Sequence, residues 1–406
     1  MICMGFLPDL FSRNTIRSII LIEIGSRGVS TAIIRSGEET PLGHQASVFA
    51  SSHTPFRVHR TLDSKAFTRT ALGVMETALE KLAVSARNTE GVQDADVVCT
   101  VSAPWHVAKT ITMSTVEEKP LDIRGDVLEN LIARATESFL EESGAEREES
   151  PNVLIEQQVI DVRVNGYRTA RPVGKRGRSL DASVYLAVMA RSVQDRMREI
   201  IERAFPNRPI HFRSSSLVVF STLRDMFPDH EDFLITRVSG ELTEVTIVRE
   251  GILRETATFP LGSHFLLRSI MASQPAIDTE AAHSLFRIVT TGQASTPEAN
   301  ATSRALASAR NEWLRAIGRV LAPFAGEMPL PNTAFLVVDE EFLAWFTASL
   351  TDPLLSPLTL AQEPFRATVV RPDIARTQVT FEQGSHPDPR VALAALQLTR
   401  TALAHG

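Results

Sequence analysis

Residues 18–37 read SIILIEIGSRGVSTAIIRSG, and residues 233–251 read FLITRVSGELTEVTIVREG. In each stretch an apolar, β-branched run is followed by a short polar turn, a second β-branched run and a glycine. β-branched residues suit the pleated surface of a strand, and glycine adopts turn dihedral angles that other residues avoid. At an offset of 214 positions, Ile33 aligns with Ile247 and Arg35 with Arg249. Each stretch therefore predicts a β-hairpin, and the second hairpin repeats the first.

A hairpin repeated at so long an interval predicts two similar subdomains. Between the two copies, a strand, a helix over 126–142 and a long two-stranded hairpin predict a separate small α+β unit. A final helix begins at Asp388-Pro389, and its alanine-rich face is expected to dock on the first subdomain. The predicted division of the chain is 1–92 with 386–406 for the first subdomain, 93–205 for an inserted domain, 206–272 with 326–385 for the second subdomain, and 273–325 for a helical insertion.

The composition is that of an ordinary globular protein, with 406 residues, 43% hydrophobic and 22% charged. A net charge of -6 argues against a nucleic-acid partner. Cys3 and Cys99 form no metal-binding or disulfide pattern, and no apolar run approaches the ~18 residues that span a bilayer. We therefore expect no nucleic acid, no metal and no transmembrane segment. Residues 1–14 are either a leader that touches a membrane or partner, or an ordinary terminus.

Two β-β-β-α units, each opened by a turn that can face a phosphate, resemble the actin-like ATPase superfamily. The inserted unit, with its hairpin segments 165–167 and 171–180, looks like the FtsA-type insert of the PilM/FtsA-like branch. That branch includes the type IV pilus assembly protein PilM and the cell division protein FtsA. The resemblance implies an α/β fold of duplicated actin-like (ribonuclease H-like) subdomains with an FtsA-type inserted small α+β domain. This chain stops at Gly406 without the membrane helix that ends FtsA, which favours the PilM-like alternative.

The resemblance assigns the two hairpin turns to the phosphates of a nucleotide. ATP chemistry needs carboxylates that hold Mg²⁺, and small turn residues whose N–H groups approach phosphate oxygens. Here Arg237 replaces the acid at the second turn, and residues 339–342, Asp-Glu-Glu-Phe, stand where the family has a Gly-Gly turn beside adenosine. Arg237 either grips a phosphate or, as the better hypothesis, pairs with a neighbouring glutamate across a closed cleft. The residues of the predicted vestigial nucleotide cleft are Glu23, Gly25, Ser26, Arg27, Ser239, Gly240 and Thr243.

The hairpin tip of the inserted unit is basic. It is expected to contact an anionic lipid surface or an acidic partner tail, or else to be a solvated loop. The residues of this tip are Arg168, Arg171, Lys175, Arg176 and Arg178.

The leading hypothesis is a pseudo-ATPase scaffold with no catalytic residue and with ATP/Mg absent or weakly bound. The resemblance implies that it lies in the cytoplasm, peripheral to the inner membrane. There it would bind the cytoplasmic tail of an inner-membrane assembly protein of a type IV pilus or secretion apparatus, near the insert and the first subdomain. The alternatives are an FtsA-like division protein that polymerises, which leaves self-association open, and an active ATPase or small-molecule kinase of the same superfamily.

Overall fold

The computed structural model describes residues 18–40, 43–61, 63–143, 151–292, 296–375 and 377–404. Residues 1–14, for which a leader and an ordinary terminus are the alternatives, lie outside these ranges. The strands are β1 (Ser18–Ile24), β2 (Gly28–Thr40), β3 (Gly43–Pro55), β4 (Asp96–Val101), β5 (Val107–Asp122), β6 (Asn152–Val164), β7 (Tyr167–Arg168), β8 (Arg176–Ala190), β9 (Ile210–Ser214), β10 (Phe233–Val238), β11 (Thr243–Arg249), β12 (Ile252–Phe259), β13 (Thr333–Val337), β14 (Arg366–Val369) and β15 (Val379–Phe381). The α-helices are α1 (Ser64–Arg87), α2 (Gly125–Glu142), α3 (Arg191–Ala204), α4 (Ser215–Met226), α5 (Ser263–Ser273), α6 (Thr279–Thr290), α7 (Pro297–Glu327), α8 (Leu343–Leu350) and α9 (Pro389–Ala404).

The described residues form three sheets, two of which share one topology. The order β3-β2-β1-β4-β9 in the first sheet is repeated as β12-β11-β10-β13-β14 in the second, and β15 adds an edge strand to the first. In both sheets the opening three strands are antiparallel and the next two are parallel additions. The hairpin registers also correspond, since Ile20 faces Ile33 and Leu234 faces Ile247. The predicted duplicated α/β architecture is confirmed.

The first strand of each hairpin, β1 or β10, buries apolar residues on both faces because helices cover both sides of its sheet. In β1, Ile20 and Ile22 pack with the α1 core, whereas Ile19 and Leu21 pack with α9. In β10, Leu234 belongs to the core shared with α5 and α7, and the neighbouring strand residues pack on α4. The apolar runs that open the two hairpins are therefore central strands.

The third sheet, of order β5-β8-β6-β7, belongs to the inserted unit, and α2 packs on one of its faces. The insert is fastened to the first sheet through a buried ion pair. Arg213 on β9 donates to Glu156 on β6 at 2.6 Å, and the Ser214 backbone N–H donates to the same carboxylate at 3.2 Å. Within the described ranges, no helix combines the length and the apolarity needed to cross a membrane.

Candidate functional site

The first hairpin turn lies at the junction of the two duplicated sheets. Gly25 occupies a position without room for a side chain: an added Cβ would lie 2.8 Å from Ser102 Oγ and 3.3 Å from Ser239 Oγ. Glycine is therefore required at position 25 because neighbouring atoms lie too close for a side chain, and not only because of the dihedral angles of the turn. The neighbouring Ser26 is completely buried, so the turn faces the other half of the protein rather than solvent.

The second turn contacts the first directly. The Ser26 N–H donates to Ser239 Oγ at 3.2 Å, and the Glu241 N–H donates to Ser26 Oγ at 2.9 Å. A Cβ on Gly240 would lie 2.5 Å from the Ser26 carbonyl oxygen. We call this contact between residues 25–27 and 239–241 the seam. Backbone N–H groups that would be needed for phosphate oxygens are thus used between the two turns.

Arg27 connects the first turn to two other segments. Its guanidinium pairs with Asp388 at the start of α9 and, at 3.2 Å, with Asp339 just after β13. Arg390 pairs with the same Asp339 oxygen at 2.8 Å and donates to the Val238 carbonyl at 3.0 Å. We call Arg27, Asp339, Asp388 and Arg390 the clasp. Two arginines and two aspartates balance in charge, so the cations of the clasp are already neutralised.

The clasp controls the ionisation of its own carboxylates. Burial by itself would raise the pKa of Asp388, but the positive charges of Arg27 and Arg390 outweigh it and hold that pKa well below its ordinary value. The same two arginines lower the pKa of Asp339 against the effect of its burial. Ser30 Oγ also donates to Asp388 at 2.8 Å. Both aspartates are therefore anionic at neutral pH.

Glu23, the predicted acid of the cleft, is 2% exposed. Burial raises its pKa, although the nearby Arg27 and Arg390 partly oppose this. Among the described residues, its Oε2 has no hydrogen-bond partner. Such an oxygen is poorly placed to hold a hydrated Mg²⁺, because water has no access to it.

Arg237 occupies the equivalent position of the second hairpin. It donates to Glu244 at 3.2 Å and to Ser215 Oγ at 2.9 Å. Glu244 faces Arg237 across β10 and β11. The predicted pairing with a glutamate is thus observed, but within one hairpin and not across the cleft.

The space between the two turns is too small for phosphates. A void of about 10 Å³ remains between residues that include Ser102, Arg237, Ser239 and Arg390, which is room for about one water molecule. The seam, the neutralised clasp and this void do not fit a nucleoside triphosphate with Mg²⁺. Of the seven predicted cleft residues, six meet at this junction. Thr243 instead faces the second core, where it donates to the Leu261 carbonyl at 2.7 Å and accepts from Trp313 Nε1 at 3.2 Å.

A wider cavity of about 640 Å³ opens beside the clasp. Its walls include the acidic residues 339–341, where the family's Gly-Gly turn was expected, and Glu341 there is 2.9 Å from His283 Nδ1. Burial, together with the positive charge of Arg27, lowers the pKa of His53 in this wall to about 3, so His53 is neutral at neutral pH. The lining carries six carboxylates and three arginines, and two of these arginines, Arg27 and Arg371, are paired with acids of the wall. This excess of negative charge makes the cavity unfavourable for polyphosphate.

The five residues of the predicted basic tip have different surroundings in the structure. Arg168 donates to Asp161 at 2.7 Å and to the Glu250 carbonyl, so it ties the insert to the second hairpin. Arg176 lies 3.2 Å from Asp122. The other three residues of the predicted tip, Arg171, Lys175 and Arg178, are exposed.

Asp388 and Arg390 were missed as site residues by sequence reasoning. The sequence did mark Asp388 as the residue before the final helix, and its Oδ1 indeed accepts the Arg390 N–H at 2.9 Å. Its other oxygen reaches Arg27, which is 361 positions away. No local signal predicts that pairing.

Two sheets of identical strand order, joined along their hairpin turns, define the actin-like fold, as the sequence resemblance implied. No protein-family model matches the chain, and no curated protein sequence does.

Solved structures do match it. The chain is similar to one in the PilM-PilN type IV pilus biogenesis complex, with a TM-score of 0.62, 15% identity, and coverage of 95% of this chain and 98% of that one. It is also similar to the ethanolamine utilization protein EutJ from Carboxydothermus hydrogenoformans, with a TM-score of 0.42, 9% identity, and coverage of 96% and 94%. MreB 5 of Spiroplasma citri bound to AMPPNP gives a TM-score of 0.42, 8% identity, and coverage of 96% of each chain. The first of these likenesses confirms the fold.

Proposed function

We propose that this protein is a non-catalytic actin-like adaptor that binds the cytoplasmic tail of an inner-membrane protein in type IV pilus or secretion assembly. It would act at the cytoplasmic side of the inner membrane. The fold shared with a chain of the PilM-PilN complex supports the pilus setting and a membrane-protein partner. The exposed basic residues Arg171, Lys175 and Arg178 of the insert would face the membrane or the partner.

One observation carries the non-catalytic part of the proposal. In the seam, the Ser26 N–H donates to Ser239 Oγ and the Ser26 hydroxyl accepts from the Glu241 N–H, at the place where phosphates would have to enter. Opening the seam for a nucleotide would break these bonds and also separate Arg27 from Asp339. Protein groups alone join the two halves at this point, so partner binding would not depend on a nucleotide.

The first test is nucleotide binding. Thermal unfolding and phosphate release are measured with and without millimolar Mg-ATP. A ligand present at 100 times its Kd would add about 2.7 kcal/mol of stability, whereas we expect no shift and no turnover. ATP turnover that disappears in Glu23→Ala would refute the non-catalytic assignment.

The second test is partner binding. Synthetic peptides that span the cytoplasmic tails of inner-membrane proteins encoded beside this gene are titrated by calorimetry, with and without Mg-ATP. We expect one tail to bind equally well in both conditions. If no tail binds in either condition, the adaptor assignment is wrong. Filaments that form on ATP addition and are visible by electron microscopy would favour the division-protein alternative.

A further inference from the structure

The sheet of the inserted unit ends in residues 165–178, which we call the tip segment. This segment runs from the turn after β6, through β7 and a loop, to the first residues of β8. Two large apolar side chains are open to solvent here, since Tyr167 is 80% exposed and Val173 is 52% exposed. Exposed apolar side chains that occur together mark a contact surface more often than single ones do.

Hydrogen bonds hold the tip segment in one conformation. At its start and end, the Arg178 N–H donates to the Asn165 side-chain oxygen at 2.7 Å. In the loop, the Gly174 N–H donates to the Ile123 carbonyl at 2.8 Å. The exposed side chains are therefore presented from an ordered backbone.

The tip segment also carries cations that no acid neutralises. Arg176 lies 3.2 Å from Asp122, but for three other cations no carboxylate within the described ranges lies at ion-pair distance. These three exposed residues are Arg171, Lys175 and Arg178. Because the whole chain has a net charge of -6, this local excess of positive charge is opposite in sign to the rest of the protein.

The strand order separates Tyr167 from the acids of the same sheet. Glu117 and Glu118 are exposed on β5, which is the edge strand opposite to β7 in the order β5-β8-β6-β7. A negatively charged surface would therefore approach the tip segment from the β7 edge, where Tyr167 lies.

A membrane interface makes use of both features of the tip segment. Lysine and arginine are attracted to anionic headgroups, and tyrosine is enriched at the interface because its ring is apolar and its hydroxyl stays hydrated. We propose that the tip segment contacts the anionic lipid surface of the inner membrane directly. Tyr167 and Val173 enter the interface, and the three unpaired cations bind headgroups. An acidic peptide would match the charge alone and would leave both apolar side chains without a role. This inference rests on the proposed function and names lipid as the partner of this surface.

The first experiment measures lipid binding by the full chain without any protein partner. The chain is mixed with vesicles of phosphatidylcholine and phosphatidylglycerol, or of phosphatidylcholine alone, and the bound fraction is measured by flotation. A lysine or arginine near an anionic surface strengthens binding about fivefold. Three of them should give roughly a hundredfold preference for the anionic vesicles, and raising the salt concentration should reduce it.

Charge variants test whether the tip segment is responsible. Replacing the three unpaired cations in Arg171→Gln/Lys175→Gln/Arg178→Gln should weaken binding to anionic vesicles about a hundredfold. The control changes the net charge equally by replacing three exposed arginines of α7, in Arg304→Gln/Arg315→Gln/Arg319→Gln, and should bind as wild type does. Circular dichroism and the melting temperature show that each variant is folded.

A tryptophan at the proposed contact reports its depth. Vesicles that contain brominated lipid quench tryptophans that enter the bilayer, so quenching should be stronger in Tyr167→Trp than in wild type. Val84→Trp, at a position on α1 that is 55% exposed, is the control and should add no quenching. Tyr167→Ser/Val173→Ser should weaken vesicle binding about tenfold, because less apolar surface leaves water.

The outcomes separate the inference from the function on which it rests. If the tip variant and the α7 control bind anionic vesicles equally, or if Tyr167→Trp is quenched no more than Val84→Trp, the lipid contact is wrong. A partner tail that still binds would then leave the adaptor function standing. If vesicles bind through the tip segment but no tail binds, the adaptor function fails and the lipid contact is supported. If a labelled hexaglutamate peptide binds wild type but not the tip variant, and vesicles do not bind, the partner is an acidic protein segment and the inference is overturned.

Discussion

Asp388 is the residue at which the clasp is best perturbed. Its side chain is 3% exposed, and it binds Arg27, itself 7% exposed. Removing one partner of a buried ion pair costs about 3–5 kcal/mol. Arg27 would still pair with Asp339, 3.2 Å away, so we expect the loss of Asp388 to cost about 3 kcal/mol, at the lower end of this range.

Two substitutions separate the charge from the helix cap. Asp388→Asn keeps a capping side chain at the start of α9 and should lower the free energy of unfolding by about 3 kcal/mol. Asp388→Ala also loses the bond to the Arg390 N–H, which adds about 1 kcal/mol. The sum of about 4 kcal/mol is a large part of the roughly 5–15 kcal/mol that stabilises a typical domain.

The assay is equilibrium unfolding in urea, followed by tryptophan fluorescence and by circular dichroism to check that the transitions coincide. Glu76→Ala, which removes the half-exposed pair with Arg203, is the control and should cost less than about 1 kcal/mol. The pKa of Asp388 is depressed in the folded state, so its contribution is present above the unfolded pKa of about 3.9 and is lost as the pH falls through the folded value. The difference between wild type and Asp388→Asn should therefore shrink below about pH 4. A cost for Asp388→Ala no larger than that of Glu76→Ala would refute the clasp.

Two further predictions concern the seam and the buried acid. Gly240→Ala should destabilise the protein by about 1–3 kcal/mol, because its Cβ would meet the Ser26 carbonyl oxygen. The control is Gly318→Ala, whose Cβ would have no neighbouring atom within 4 Å, and it should be neutral or stabilising by up to about 1 kcal/mol. Equal effects of the two substitutions in urea unfolding would contradict the seam. The folded pKa of Glu23 is raised, so the unfolded state loses this proton first and stability falls as the pH rises from about 4.3 towards the folded pKa. Glu23→Gln should remove that part of the pH dependence; unfolding curves at pH 5 and pH 8 that change alike in wild type and variant would contradict it.

The hairpins could be predicted from sequence because their signals are local. A β-branched run beside a glycine turn specifies strand, turn and partner strand within about twenty residues. The offset between the two copies then predicted a shared topology, and the sheets have it. Arg237, which stands where the first hairpin has Glu23, also predicted from the sequence alone a cleft poorly suited to a nucleotide.

The surroundings of single polar residues could not be predicted in the same way. Arg168 was grouped with its basic neighbours, yet it pairs with Asp161 on an adjacent strand and with the carbonyl of Glu250 on the second hairpin. Thr243 was grouped with its turn, yet its hydroxyl faces Trp313 in the core. In both cases the direction of a side chain depends on elements far away in the chain.

The sequence by itself determined the duplicated fold and showed which residues of the two turns depart from a nucleotide-binding pattern. These features depend on strand propensity, turn geometry and residue identity, which are local properties of the chain. The tertiary structure decided that the two turns meet in a seam and that Arg27 is neutralised by Asp339 and Asp388. Those contacts join residues more than 200 positions apart, and they arise only when two sheets and the last helix converge. The sequence of the first hairpin is compatible with a turn that faces a phosphate. In the folded protein this turn instead packs against the turn of the second hairpin, and no local sequence pattern predicts that contact.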